Sequence, residues 1–445
     1  MSALEQAHRR LLALAERADA SRAAQPAWLT GLRQEARERF REQGLPTTRL
    51  EEWRYTSLAD LARVPFEAVP ATAQAVTRRD VEAVAFPVFA CSLYVFVDGR
   101  YDPRLSALAA GARVHAESLA ELLHSAPERL ESRLGCLADT KAHPFAALNT
   151  ACLEDGAALL VPRGAVPDEP LHVVFLSTDS GAPRLRNPRL LVIAEEGSRV
   201  RIIQDHVSLG AEPDLTNATS EILVARSAQV DLVLLQREGP ETFHVSHVAA
   251  HQERDSRFSC HTLCLGGRLV RNDLSVVLAD EGAECTLHGL FVAGGEQVVD
   301  NHTIVDHAMP HGTSRELYKG ILGGRSRGVF RGRVVVRPDA QRTNAEQSNP
   351  NLLLSEGAEI DTKPQLEIHA DDVKCSHGSS IGQLDEDALF YLRSRGIDAA
   401  ESRDVLTRGF AHEILDALPV EALADGLDEV LQARLDGLAG QEPGR

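Results

Sequence analysis

Cys375-Ser376-His377 sets a thiol and an imidazole two positions apart. On a strand, such residues share a face and stand about 6.6 Å from each other. That spacing lets a sulfur and a ring nitrogen reach one iron or zinc ion, or lets a protonated His377 lower the pKa of Cys375. Two ligands do not complete a metal site, so nearby carboxylates or a partner would have to supply the others. The plain alternative is a buried thiol beside a hydrogen-bonded histidine. Leu366, Ile368 and Ala370 alternate with Glu367, His369 and Asp371, which is strand period. If that strand runs on unbroken, Glu367, His369, Asp371, Cys375 and His377 line one face; a turn at Asp371-Asp372 would split the set.

Other candidate groups carry less. Cys260-His261-Thr262-Leu263-Cys264 has metal-type residues, but positions four apart on a strand are about 13 Å apart, too far to share one ion. His302, His307 and His311 sit among Asp300, Asn301 and Asp306, where turn and ladder hydrogen bonds are expected. No lysine follows a glycine, so there is no P-loop, and G-x-G-x-x-G and H-E-x-x-H are absent. Any nucleotide hydrolysis would come from another chain.

The elements that must hold these residues fall into four stretches. Residues 1–62 read as an N-terminal helical region: Leu29, Leu32, Ala36 and Phe40 form a stripe, Gly44-Leu45-Pro46 breaks it, and a short helix follows Thr47. Trp53 and Tyr55 there are expected to dock the segment on the body. Residues 63–150 are mixed α/β, with a strand over 91–97 and a helix over 118–134. Residues 151–382 lose helical period and alternate short apolar runs with turns. A small residue follows each turn, at Ala165, Ser198, Ala228, Ser256, Ala283, Thr313, Ala340 and Ala358, with gaps of 33, 30, 28, 27, 30, 27 and 18 by subtraction. A strand-only repeat of this length predicts the coils of a β-solenoid, with a β-sandwich as rival. Its terminal edges must be capped or covered by a partner. Asn349-Pro350-Asn351 and Ser355-Glu356-Gly357 read as turns flanking a short strand. From 383 to 445 the chain is helical: Asp385-Glu386-Asp387 opens a helix that Gly396 closes, and Leu406, Phe410, Ile414 and Leu418, then Leu423, Leu427, Leu431 and Leu438, form apolar stripes. Those stripes suit a core, and a terminal domain of this kind also suits a docking module.

Charge and composition narrow the function. The balance of 47 basic against 65 acidic residues leaves −18, which argues against nucleic-acid or anionic-membrane partners. Aromatics at 4% disfavour a sugar- or base-stacking cleft. Seven scattered cysteines without a C-x-x-C, and an N-terminus lacking an apolar signal core, point to a reducing, cytoplasmic setting.

A family resemblance rests on Asp300-Asn301-His302, Tyr318-Lys319-Gly320-Ile321, Gln341-Arg342-Thr343, Gln347-Ser348-Asn349, Leu352-Leu353-Leu354-Ser355 and Asp372-Val373-Lys374-Cys375-Ser376-His377-Gly378. With 389–396 and Glu51-Glu52-Trp53-Arg54-Tyr55, these runs resemble the SufD branch of the SufB/SufD family, subunits of the SUF iron–sulfur cluster assembly scaffold. Ser348 stands where the SufB branch carries a cysteine, and Ser376-His377-Gly378 where it carries Glu-His-Glu, so the main sulfur-accepting route is expected in the other subunit. The resemblance implies a mainly β fold, a right-handed parallel β-helix flanked by N- and C-terminal helices. It implies a non-catalytic scaffold that pairs with a SufB-type subunit through the β-helix and docks a SufC-type ATPase through the C-terminal helices. It implies a transient iron–sulfur cluster (iron and sulfide) shared with the partner, with His377 taking part and Cys375 as its neighbour, and leaves a flavin open. The rival is a structural or polysaccharide-active β-helix without a metal role.

Overall fold

Leu-, Ile- and Val-rich runs of five to ten residues, each ended by a turn, place the chain alternately in two sheets. In the computed structural model, which describes residues 2–20, 25–70, 76–86, 91–109 and 114–439, eight strands of each sheet form the solenoid, two per coil and hence eight coils. One sheet runs from Ala157–Val161 through Leu215–Val224 and Phe243–Gln252 to Glu359–Ile368; the other runs from Leu171–Ser177 through Gln229–Gln236 and Thr313–Leu322 to Lys374–Gly382. All these neighbours pair in parallel, one coil apart. The protein is therefore mainly β, a parallel β-helix with helices at both chain ends. A sandwich of antiparallel sheets is excluded.

Parallel register stacks equivalent residues into columns. Val200, Val230, Phe258 and Cys285 form one such inward column, continued by Ser314, Ala345 and Cys375. The turn repeat has its physical basis at the coil corners, where the amide of each strand's first residue reaches the previous coil. Arg199 N bonds Ala165 O at 2.8 Å, and Gln229, Arg257, Glu284 and Thr313 repeat this to Ser198, Ala228, Ser256 and Ala283 at 2.8–3.0 Å. The expected series then slips. Gly312 and Thr343, not Thr313 and Ala340, continue the ladder, accepting from Asn344 and Lys374 at 3.0 and 2.9 Å. Ala358 belongs to the opposite sheet, where Glu359 N bonds Ser326 O at 3.0 Å, which explains the odd gap of 18. The corner admits only small side chains: a Cβ on Gly312 would lie 2.7 Å from His307 Nδ1.

Asn349-Pro350-Asn351 is not a turn. It lies inside the strand Asn344–Leu353. Proline cannot donate to a ladder, and the pairing with Thr313–Leu322 lapses at Asn349 and Pro350, between the paired Ser348 and Asn351. The Asn349 side chain fills the gap, its Nδ2 donating to Tyr318 O at 2.8 Å. The helix expected over 118–134 is also shorter, Leu119–Ser125, because Pro127 ends it and starts a 3-10 turn. The short helix after Thr47 is a single 3-10 turn, Glu51–Trp53.

The outer face of each sheet is covered by a different terminal region, as parallel sheets require. Leu11, Leu14, Phe40 and Trp53 pack on Leu215, Phe243 and Leu269 of one sheet. Trp53 stacks on Phe145 at 5.8 Å and lies 4.0 Å from the Arg271 guanidinium, so it docks the segment as expected. Leu423, Leu427, Leu431 and Leu438 pack with Ile414 on Val233, Leu263, Leu290 and Ile321 of the other sheet. Lys319 ties the helix Ala399–Leu415 to the solenoid by an ion pair with Glu413 and a 3.0 Å bond to Phe410 O. No helix among the described residues is long and apolar enough to cross a membrane.

Candidate functional site

The two ends of the solenoid differ. At the first, Ser92–Val97 and Arg100–Tyr101 extend one sheet, and the antiparallel Ala116–Ser118 closes the other. At the second, Glu359–Ile368 and Lys374–Gly382 are the last strands, and no described strand pairs beyond them. An unpaired strand leaves a row of backbone donors and acceptors available to another chain. Every residue of Lys374–Gly382 is exposed except Cys375. Ile368 and Ile381 are 42% and 52% exposed at this end.

Register fixes the direction of the candidate ligands. Cys375 pairs with Ala345 and His377 with Gln347, both of which point into the solenoid. Cys375 and His377 therefore share the inward side of the terminal rung. The five-residue face does not form. The chain bends at Asp371-Asp372, where Arg342 N bonds Asp372 O at 2.6 Å. Glu367 lies on the outer side, 3.7 Å from Arg333, and His369 and Asp371 fall between the strands. Among the described residues no three His, Cys, Asp or Glu side chains are grouped to hold a metal ion. Cys375 and His377 are thus two donors on an open edge.

Burial against the apolar interior pushes the Cys375 thiol up, and a backbone hydrogen bond from Ala345 offsets only part of this. Cys260 and Cys264 are buried thiols pushed up to about 12, inert as ligands or nucleophiles. His302 bonds Arg271 at 3.2 Å and lies 2.9 Å from Asp300 Oδ1, and His307 bonds Ser314 at 2.8 Å, the ladder roles expected of them. His311 is a left-handed turn residue (φ 61°), 3.8 Å from Glu281. Gly378-Ser379-Ser380-Ile381-Gly382 has the spacing of a nucleophile elbow, but an elbow needs a sharp strand-to-helix turn and Ser380 lies within a strand.

The last coils differ inside from the first. The interior is aliphatic and aromatic around Val200, Val230 and Phe258. Near the open end Asn349, Asn351 and Thr362 form a hydrogen-bonded cluster, with Thr362 Oγ1 donating to Asn349 Oδ1 and Asn351 Nδ2 to Asn349 Oδ1, both at 2.8 Å. Glu316 and Gln347 continue it. Glu316 was not singled out above. Its signal is a charged residue at an inward position, between Ser314 and Tyr318 in Thr313–Leu322.

A second surface lies just beyond. Asp385 caps the helix Glu386–Ser394, accepting from Asp387 N at 2.8 Å, and Gly396 (φ 91°) follows its end. The leucine stripes of the two later helices are spent on the solenoid. What stays exposed is Phe390 at 72%, Tyr391 at 57% and Val405 at 46%.

Comparison with known proteins agrees with this architecture. Residues 5–173 match the SufBD protein N-terminal region, and residues 175–410 match the SUF system FeS cluster assembly SufBD core domain. An iron–sulfur cluster assembly SufBD family protein of Synechocystis sp. is 34% identical over 415 residues, 91% of each chain. The iron–sulfur cluster assembly protein SufD of Escherichia coli is 31% identical over 396 residues, 88% of this chain and 90% of its own. The chloroplastic protein ABCI7 of Arabidopsis thaliana is 34% identical over 290 residues, 63% of this chain and 61% of its own. A chain matched along its helical start and its solenoid core, with an open terminal rung, belongs to the SufBD family of iron–sulfur cluster assembly proteins.

Proposed function

We propose that this chain is a non-catalytic scaffold subunit of an iron–sulfur assembly complex, and that its open end pairs with a SufB-type subunit. The observation that carries this reading is the asymmetry of the solenoid: one end capped, the other ending in an exposed strand whose outer edge no described strand pairs, with His377 and Cys375 on its inward side. A partner strand added there would cover the edge, and its own side chains would supply the donors that two residues cannot. His377 offers a ring nitrogen to iron of the nascent cluster. Cys375, raised by burial, takes the lesser part. Family membership supports the assembly role.

The SufC-type ATPase docks on the C-terminal helices, and Phe390, Tyr391 and Val405 are the apolar side chains left for it. This narrows the docking surface from the whole of 383–445 to its first two helices. The transient cluster is cargo. Reconstitution of the complex with His377→Ala, followed by iron and sulfide analysis, tests the reading. Cluster content should collapse while the three-protein complex still forms. Normal cluster content would remove the case for His377. Phe390→Ala with Tyr391→Ala should abolish co-purification of the ATPase alone, and full retention would move its docking site elsewhere.

A further inference from the structure

Most buried carboxylates among the described residues have cationic or imidazole partners, and Asp155, which has neither, accepts from three backbone amides and the Ser118 hydroxyl. Asp98, Asp205, Glu221 and Asp273 each pair with an arginine, and Glu238 with His244. Glu316 differs. It is buried between the sheets and is held by the Gln347 amide, whose Nε2 donates to it, with the Thr303 hydroxyl facing it. The titratable groups near it, Cys285 and Tyr318, are both pushed up by burial and stay neutral. Burying a carboxyl without a cation costs stability, so its position needs a reason.

That position is a column. Parallel register stacks Glu316 under Gln347 and Gln347 under His377, all on the inward side, in the last three strands of one sheet. Gln347 has two ends. Its Nε2 is turned to Glu316, and its Oε1 has no hydrogen-bond partner among the described residues. We propose that Glu316 is a positioning residue for His377, acting through the Gln347 amide to set which ring nitrogen of His377 is free at the open end. An ionised Glu316 only accepts, so Gln347 must give it Nε2 and offer Oε1 to the terminal rung. Once His377 turns a ring N–H to that oxygen, the other nitrogen is left with its lone pair outward, the form that binds a metal. A protonated Glu316 can donate to Oε1 instead. The amide then turns and offers N–H to His377, and the preference for a tautomer reverses. Burial pushes the Glu316 carboxyl up to about 7, so both forms are populated near neutral pH.

The inference rests on His377 being the group presented at the open end, and it is tested without the cluster. The full-length chain, labelled with 15N-histidine, is examined by NMR at about pH 9, where an ordinary imidazole is neutral. His377→Asn identifies the His377 signals. A hydrogen bond of ordinary net strength shifts a tautomer ratio roughly two- to tenfold. Glu316→Gln should change the ratio by that factor in the otherwise unaltered chain and leave it unchanged in a Gln347→Met background. An unchanged ratio, or the same change in both backgrounds, overturns the coupling. Should Glu316→Gln not fold, Gln347→Met alone must still abolish the bias seen in the parent chain, and a ratio that persists overturns the proposal as well. Cluster content with His377→Ala reads the role of His377 separately, so either result can fail without the other.

Discussion

Glu316→Gln makes a quantitative test of the interior. The carboxyl, ordinarily at 4.5, is raised to about 7 by desolvation, against the opposing pull of Thr303 and Gln347. The folded state therefore holds a proton that the unfolded chain releases. Below about pH 4.5 both states are protonated and Glu316 carries no ionisation penalty. As pH rises from 4.5 to 7 the unfolded state ionises first, so stability falls through that window and levels off above it. The difference, 7 − 4.5 = 2.5, corresponds to about 3 kcal/mol at 1.36 kcal/mol for each unit. Glutamine keeps the shape and hydrogen-bonding capacity of the protonated acid and cannot ionise. The substitution should thus be near neutral at about pH 4.5 and stabilising by about 3 kcal/mol at about pH 8. Urea denaturation of parent and variant at both pH values, followed by the far-ultraviolet sheet signal, gives the difference directly. The contributions of other titrating groups cancel between the two chains. An equal effect of the substitution at both pH values would refute the reasoning, because the carboxyl would then titrate alike in both states.

Other tests address the remaining parts of the fold. Gly289→Ala should lower the melting temperature, at a cost of about 1–3 kcal/mol from overpacking, since a Cβ there would lie 2.2 Å from the Tyr318 ring. Leu427→Ala should cost about 2–5 kcal/mol and expose the C-terminal helices to limited proteolysis before the solenoid, because Leu427 is buried in their contact with the sheet. Native alkylation at mildly alkaline pH should leave Cys260, Cys264 and Cys285 unmodified until the chain unfolds, as mass spectrometry of the labelled peptides would show. Asp205, held at about 2 by Arg237 and His172 against its burial, should lend stability above pH 3.8 that is lost as pH falls toward 2; Asp205→Asn should flatten the acid limb of the melting profile.

Much of this architecture is legible in the residues alone, because it depends on local chemistry that repeats. The corner residues Ser198, Ala228, Ser256 and Ala283 mark the coils, since a tight corner excludes larger side chains whatever surrounds it. Asp385 and Gly396 bracket their helix for equally local reasons, a side-chain cap and a positive φ. Strand parity likewise puts Cys375 and His377 on one face, and the structure keeps them together.

What the sequence left open depended on neighbours one coil away. Asn349-Pro350-Asn351 reads as a turn because its residue types are turn formers; the two flanking strands hold it extended, and the Asn349 side chain replaces the donor that Pro350 lacks. The set from Glu367 to His377 divides at Asp371-Asp372 because the coil must turn there to reach the other sheet, a length fixed by the 31-residue rung from Gln341, whose side chain accepts from Asp372 N at 2.9 Å. The leucine stripes near the C-terminus announce an apolar contact in the sequence, but only the packed sheet shows that they are consumed and that Phe390 and Tyr391 stay outside. Glu316, Gln347 and His377 lie about thirty residues from one another in the chain and meet only because parallel stacking converts that interval into adjacent strands about 4.8 Å apart.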